Sequence, residues 1–265
     1  MSQGSFSAVS MGILLAGHVT VRAKRAIENA DIVYCLAPSP VSEKWLSTLN
    51  KNCVSLQPHY GEGKHRMESY EGMVAQMLSS VEKGLDVCGA FYGHAGVFSW
   101  VPHETIRKAR KAGFYAEMEP GISAEACLYS DLGIDPGDYG IQSYEASQFL
   151  FFDHPPNPAS YLLLWQVALA GESTARTFHS DAAKIDMLVN YLRKWYPENH
   201  EVILYEAAFL PVEKVRKEKI TLGELARSKL ELHTTLVIPP AKKLCFNHEI
   251  MDLMGLDEES FLRRD

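Results

Sequence analysis

The sequence is short of several things, and each shortage removes a class of function. No apolar run is long enough to cross a bilayer as a helix: the longest near-apolar stretch, Tyr161 to Gly171, already contains Gln166. The apolar segment around Met11 to Gly17 has no basic residue before it, unlike a secretory signal, so the chain is expected in the cytoplasm with no membrane partner. Positive charge is not in excess. Against 26 Lys and Arg stand 33 Asp and Glu, a formal net charge of −7, which argues against a surface built to bind nucleic acid. No CxxC pair occurs among the five cysteines Cys35, Cys53, Cys88, Cys127 and Cys245, an odd and scattered set that suggests reduced thiols rather than a disulfide framework or a zinc knuckle. Internal repeats and low-complexity tracts are missing as well. With 46% hydrophobic residues over 265 positions, disorder is excluded and a sizeable core is expected.

What is present is an alternation of short apolar runs with helical patterns, the signature of an α/β protein with a largely parallel sheet. Expected strands in the first half are Phe6 to Val9, Ile32 to Leu36, Cys53 to Leu56, Val87 to Tyr92 and Tyr115 to Met118. The helix after Arg66 carries Met73, Met77 and Val81 on one face, and Gly84 stops it. At Glu119-Pro120-Gly121 the pattern breaks, which places a boundary between an N-terminal domain, 1–119, and a C-terminal α/β domain, 120–242, followed by a tail over 243–265. Beyond the break, Ile122 to Leu132 reads as a helix with Ser123 near its first turn. Strands are expected at Gln148 to Phe152, Tyr161 to Ala168, Val202 to Glu206 and Thr234 to Ile238, with one strong helix from Ala182 to Trp195 and a mixed sheet overall.

Two turns follow expected strands and carry the chemistry best: Tyr92-Gly93-His94-Ala95-Gly96-Val97-Phe98, and Pro120-Gly121-Ile122-Ser123-Ala124-Glu125, which opens a helix. In open α/β sheets ligands bind at that strand edge, where glycines permit close approach and helix N-termini converge. A third loop, Val9-Ser10-Met11-Gly12-Ile13, lacks GxGxxG spacing, so a nicotinamide cofactor is not supported. The polar loop Gln57 to Tyr70, with Glu62 and Gly63 in it, supplies two phenols flanking a guanidinium. If Arg66 begins the helix, Tyr70 lies one turn along the same face. A neighbouring cation lowers a phenol's pKa, so Tyr60 or Tyr70 could act as a base towards a weakly acidic N–H; packing tyrosines and an exposed arginine are the plainer alternative. His94 reads as a loop hydrogen-bonder rather than a metal ligand, Asp131 and Asp135 as caps and turn formers, and Phe149, Phe151, Trp165 and Phe178 as core or subunit interface.

Together with Ile238-Pro239-Pro240, the two turns resemble the tetrapyrrole methylase superfamily of S-adenosylmethionine-dependent methyltransferases over nearly the whole chain. More specifically, Asp131-Leu132-Gly133-Ile134-Asp135-Pro136, Tyr144-Glu145-Ala146-Ser147-Gln148-Phe149 and the Tyr60, Arg66, Tyr70 spacing resemble the borosin α-N-methyltransferases, which methylate backbone amides of a ribosomal peptide. The resemblance implies a two-domain class III methyltransferase fold with the methyl donor in the cleft between the domains, S-adenosylhomocysteine as product and no metal. It implies a homodimer around a peptide tunnel, with two precursor chains a heterotetramer. Fused members continue into their own core peptide. This chain stops at Asp265, which suggests the split type acting on a separate precursor. Carried over position by position, Tyr60, Arg66 and Tyr70 match catalytic residues, and Tyr92, His94, Val97, Ser123, Ala124, Gln166, Ala208 and Thr235 match the donor pocket, with Tyr92 serving both groups. Two departures are Ser10-Met11-Gly12, where the family usually has a GTG turn, and Gln57, where fused members carry an aromatic. The competing expectations are methylation of a small tetrapyrrole-like heterocycle and an idle scaffold that binds a peptide as an added strand.

Overall fold

Apolar side chains that alternate along the first-half strands force a sheet buried on both faces. The structure, a computed structural model, describes residues 4–61, 64–173 and 181–258. Glu62, Gly63, Phe178 and the tail beyond Glu258 lie outside the described residues. The first half runs β1 (Ser5–Ser10), α1 (Val21–Asn29), β2 (Ile32–Leu36), α2 (Pro40–Leu49), β3 (Cys53–Ser55), α3 (Arg66–Glu82), β4 (Asp86–Phe91), α4 (Trp100–Lys111) and β5 (Tyr115–Met118). All five strands are parallel, in the order β3-β2-β4-β1-β5. Alternation divides their side chains cleanly. Phe6, Ala8, Tyr34, Val87 and Phe91 pack with Met73, Met77 and Val81 of α3 and with Val101 and Ile106 of α4. Val9, Val33, Cys35, Cys88 and Ala90 face the other way, onto Ala23 and Ile27 of α1 and Leu46 of α2.

The second half runs α5 (Ala124–Leu132), α6 (Pro136–Tyr139), β6 (Ile141–Glu145), α7 (Ala146–Phe151), β7 (Tyr161–Trp165), α8 (Ala182–Leu192), β8 (Glu201–Glu206), β9 (Arg216–Thr221), β10 (Thr235–Ile238) and α9 (His248–Met254). Its sheet has the order β6-β7-β10-β8-β9, with β6 and β7 parallel and the other pairs antiparallel. The expected mixed sheet is therefore present. Leu162, Leu163 and Leu164 of β7 are all fully buried, because α8 covers one face and α5 the other. Among the described residues, no helix is long and apolar enough to cross a membrane.

Several expectations need correction. Gln148 to Phe152 is not a strand: Ala146–Phe151 forms α7, started by the Glu145 carboxylate, which accepts from the Gln148 N–H at 2.7 Å. An apolar run this short reads equally as strand or helix, and the cap decides it. Two strands carry too little alternation or too much charge to be seen in sequence: β6 is an edge strand with no buried residue, and β9, Arg-Lys-Glu-Lys-Ile-Thr, is the opposite edge, where charge blocks further pairing. The strand from Tyr161 ends at Trp165 because Gln166 takes a left-handed conformation, and the long second-half helix ends at Leu192 rather than Trp195.

Candidate active site

The site begins with three turns at the carboxyl ends of β1, β4 and β5. Gly12 and Gly93 exchange backbone hydrogen bonds, the Gly12 N–H to the Gly93 carbonyl at 3.1 Å and the Gly93 N–H to the Gly12 carbonyl at 3.0 Å. Both have left-handed φ, +69° and +68°, which glycine adopts without a Cβ penalty, so the turn at Ser10-Met11-Gly12 keeps a tight bend. Ser10 ties in the third turn. Fully buried, its hydroxyl accepts from the Ala95 N–H at 2.9 Å and donates to the Glu119 carbonyl at 3.3 Å.

These turns wall a cavity of about 430 Å³, completed by the start of α5 and the segment after β7. Tyr92, His94, Val97, Ser123, Ala124, Gln166 and Thr235 all line it, so seven of the eight expected donor positions converge. Ser123 caps α5, accepting from the Ala126 N–H, and thereby sets that helix's first turn in the wall. His94 holds its own turn, its Nδ1 accepting from the Gly96 N–H at 2.9 Å. Ala208 lies elsewhere. It lines a second cavity of about 530 Å³ with His18, Cys127, Asp131 and Glu213. The cause is the neighbouring residue: the Phe209 carbonyl accepts from the Leu15 N–H at 2.9 Å, and its ring meets Tyr92 edge-on at 5.9 Å, so Phe209 takes the place against Tyr92.

Two wall residues hold strained backbone. Phe98 (φ +49°) and Gln166 (φ +55°) are two of the three non-glycine residues with left-handed φ among the described residues, and both line the cavity. Such conformations persist where the surroundings enforce them, commonly at ligand sites. Trp165, read from sequence as core or interface, also lines the cavity, near the Phe98 ring and with its Nε1–H donated to Ser143 Oγ at 2.8 Å. Nothing in its sequence context separates a wall tryptophan from a core one. Phe149 is core, Phe151 is exposed, and Asp135 caps α6 through the Gly137 N–H. Asp131 is not a cap but a strut, accepting from the Tyr205 hydroxyl at 2.7 Å.

Of the phenol and guanidinium group, only Tyr60 lines the cavity. Behind it stands Tyr70, edge-on with ring centroids 6.3 Å apart, and Tyr70 in turn stacks on Trp100 at 6.2 Å. Arg66 is the first residue of α3 and pairs with Glu172 at 3.6 Å. The expectation that the cation acidifies these phenols fails at Tyr60. Burial pushes its pKa well above the ordinary phenol value, the neighbouring Tyr70 pushes the same way, and the opposing pull of Arg66 is the weakest of these influences. Tyr92 is pushed up to about 12, chiefly by burial. Both phenols therefore remain protonated at neutral pH.

Two five-stranded α/β sheets, one parallel and one mixed, thus flank this glycine-turned cleft. The sequence profile described as Tetrapyrrole (Corrin/Porphyrin) Methylases matches residues 5–226. The chain belongs to that family and, within it, to the borosin methyltransferase proteins. It is 39% identical over 95% of its length to the methyltransferase/ribosomally synthesized cyclic peptide dendrothelin A precursor of Dendrothele bispora, and covers 61% of that protein. To the methyltransferase/ribosomally synthesized type I borosin cyclic peptide precursor of Coprinopsis marcescibilis it is 35% identical over 96% of its length, covering 67% of the relative. The chain thus spans about three fifths to two thirds of these relatives. Among solved structures, uroporphyrin-III-C-methyltransferase from Thermus thermophilus shares the fold, with a TM-score of 0.64 at 19% identity over 90% of this chain and 93% of that one.

Proposed function

We propose that the chain uses S-adenosylmethionine to methylate, iteratively, the backbone amides of a separate, ribosomally made precursor peptide. The observation that carries this reading is Tyr60, which lines the cavity with the Tyr70 ring edge-on to it and the Arg66 guanidinium near enough to act on its charge. The relatives' printed names, each a methyltransferase joined to a ribosomal peptide precursor, support a peptide substrate.

The cavity suits the donor. Its volume falls within the range of about 300–1,000 Å³ usual for small-molecule sites. Trp165 and Phe98 offer flat apolar walls for a purine, and Ser123 and Ala124 present the amide end of α5. The same seven positions, Tyr92 to Thr235, would hold it. When bound, the donor supplies a sulfonium methyl: a C–N bond forms to the amide as the C–S bond breaks, and the bonding pair returns to sulfur in S-adenosylhomocysteine.

The chain's own residues must overcome amide resonance, which spreads the nitrogen lone pair into the carbonyl. Tyr60, kept protonated by burial, donates to the carbonyl oxygen as that oxygen gains charge, and Arg66 adds a positive field. Tyr70, as the phenolate, takes the amide proton and is left a neutral phenol. Cleft walls on both sides hold nitrogen and methyl in line, which supplies much of the acceleration through orientation.

Calorimetry with S-adenosylhomocysteine and a transfer assay on a separately supplied precursor peptide test the reading. Tyr70→Phe and Arg66→Ala are expected to bind S-adenosylhomocysteine like the wild type, while transfer falls about a hundredfold or more. Near-normal transfer by both variants removes the cluster from the mechanism.

A further inference from the structure

Arg66 sits at an electrostatically awkward place. As the first residue of α3 it brings positive charge to the positive end of a helix, where an anion is favoured and a cation is not. Something must hold the guanidinium there. The structure supplies Glu172, whose Oε2 lies 3.6 Å from Arg66 Nη2. The Glu172 side chain is 2% exposed and that of Arg66 is 21% exposed, so the anion is the more deeply buried partner. A carboxylate withdrawn from water to that degree is stable only when compensated, and its geometry is then set by its surroundings.

Those surroundings lead back to the cavity. Glu172 ends a tight turn that begins at Gln166, the left-handed residue in the cavity wall. The Leu169 N–H donates to the Gln166 carbonyl at 2.8 Å, and the Glu172 N–H to the Leu169 carbonyl at 2.9 Å. Ser147 Oγ, buried in α7, donates to that same Leu169 carbonyl at 2.7 Å and pins the turn to the second sheet's core. Gly171, at φ +77°, lets the chain reverse so that Glu172 returns towards α3. One short segment therefore presents Gln166 to the cavity and Glu172 to Arg66.

We propose that Glu172 is a positioning residue for the methyl transfer: through its buried ion pair it fixes the Arg66 guanidinium beside Tyr60 and Tyr70. This rests on the proposed function, since it assigns Glu172 a part in that chemistry, and it names a residue far along the chain from the catalytic loop. Glu172 touches no reacting atom. Its effect passes through Arg66, and the two substitutions must therefore be non-additive.

The test uses the full chain, S-adenosylmethionine and a separately supplied precursor peptide, with S-adenosylhomocysteine affinity measured by calorimetry. Glu172→Gln is expected to lower kcat about tenfold or more while donor affinity stays within about twofold, the pattern of an interaction needed in the transition state. Glu172→Asp, which keeps the charge, should recover part of the lost rate. In an Arg66→Ala background, Glu172→Gln should change kcat by less than about twofold. Unchanged kcat in Glu172→Gln, or full additivity with Arg66→Ala, overturns the proposal alone. Loss of donor affinity in step with kcat also overturns it, as a general structural role would do that. No transfer by the wild type overturns the functional reading and this proposal together.

Discussion

Replacing Gly121 by alanine places one methyl group where the site has no room for it. The new Cβ would lie 2.2 Å from Ser10 Cβ and 2.8 Å from Ser10 Oγ. Saturated carbons rest at about 3.5–4.0 Å, so the turn must retreat by more than about 1 Å. Ser10 cannot yield easily: it is fully buried, and its hydroxyl holds both the Ala95 N–H and the Glu119 carbonyl. The retreat therefore falls on the 119–123 turn and carries Ser123 and Ala124 out of the cavity wall. Overpacking of this kind costs about 1–3 kcal/mol. At about 2–4 °C per kcal/mol for a chain of this size, melting should fall by about 2–12 °C. A wall displaced by that much should weaken S-adenosylhomocysteine about tenfold, equivalent to about 1.4 kcal/mol. Gly133→Ala is the matched control. Gly133 ends α5 at φ +66° with nothing within 4 Å of an added Cβ, so the change strains backbone by about 1 kcal/mol and leaves the cavity alone. Wild-type donor affinity in Gly121→Ala, or an equal loss in Gly133→Ala, refutes the reasoning.

The same structure makes further predictions. Gln166→Gly removes a left-handed side chain from the wall, so melting should stay within about 2 °C, relief of strain offsetting lost chain stiffness, while donor affinity falls in calorimetry. Leu164→Ala empties a fully buried position between β7 and α8 and should cost about 2–5 kcal/mol in urea unfolding without changing the denaturant slope greatly. Burial raises the Cys35 thiol from 9.0 to about 12 and the Cys127 thiol from 9.0 to about 11. The unfolded chain ionises these thiols first, so their contribution is intact below about pH 9 and is lost as pH rises towards 11–12, at up to about 1.4 kcal/mol per pH unit for Cys35. Melts in reductant between pH 8 and 10.5 should show falling stability; a flat or rising trend contradicts the assignment.

The first sheet was legible because its strands are buried on both faces, and continuous apolar runs such as Ile32–Leu36 leave little choice of element. Ser123 was legible only as lying near the first turn of a helix read from Ile122; the helix begins at Ala124, because the Ser123 hydroxyl meets an N–H three residues on. Elements at the second sheet's margins were not. β9 survives as a strand only because β8 lies beside it, a contact its charged sequence does not announce, and α7 depends on a single carboxylate cap. Site residues followed the same division. His94 could be read from its flanking glycines, but that Tyr60 and Gln166 share a wall is a property of the folded chain, reached from sequence only through family resemblance. Ala208, matched to the donor pocket by resemblance, lines the neighbouring cavity, beside Phe209, which docks onto the turn after β1. Glu172 had no signal at all, because its partner lies on another element in the other half of the chain.

The central claim is that the Tyr60, Arg66 and Tyr70 cluster, opening onto the donor cavity, directs a methyl group to a peptide backbone nitrogen. Tandem mass spectrometry of a precursor peptide incubated with the full chain and S-adenosylmethionine tests it most directly. The account predicts successive mass additions of one methyl each, located by fragment ions on backbone amides and lost in Tyr70→Phe. Methyl groups confined to side chains, or a peptide left unmodified by a chain that demonstrably binds both it and the donor, would contradict it.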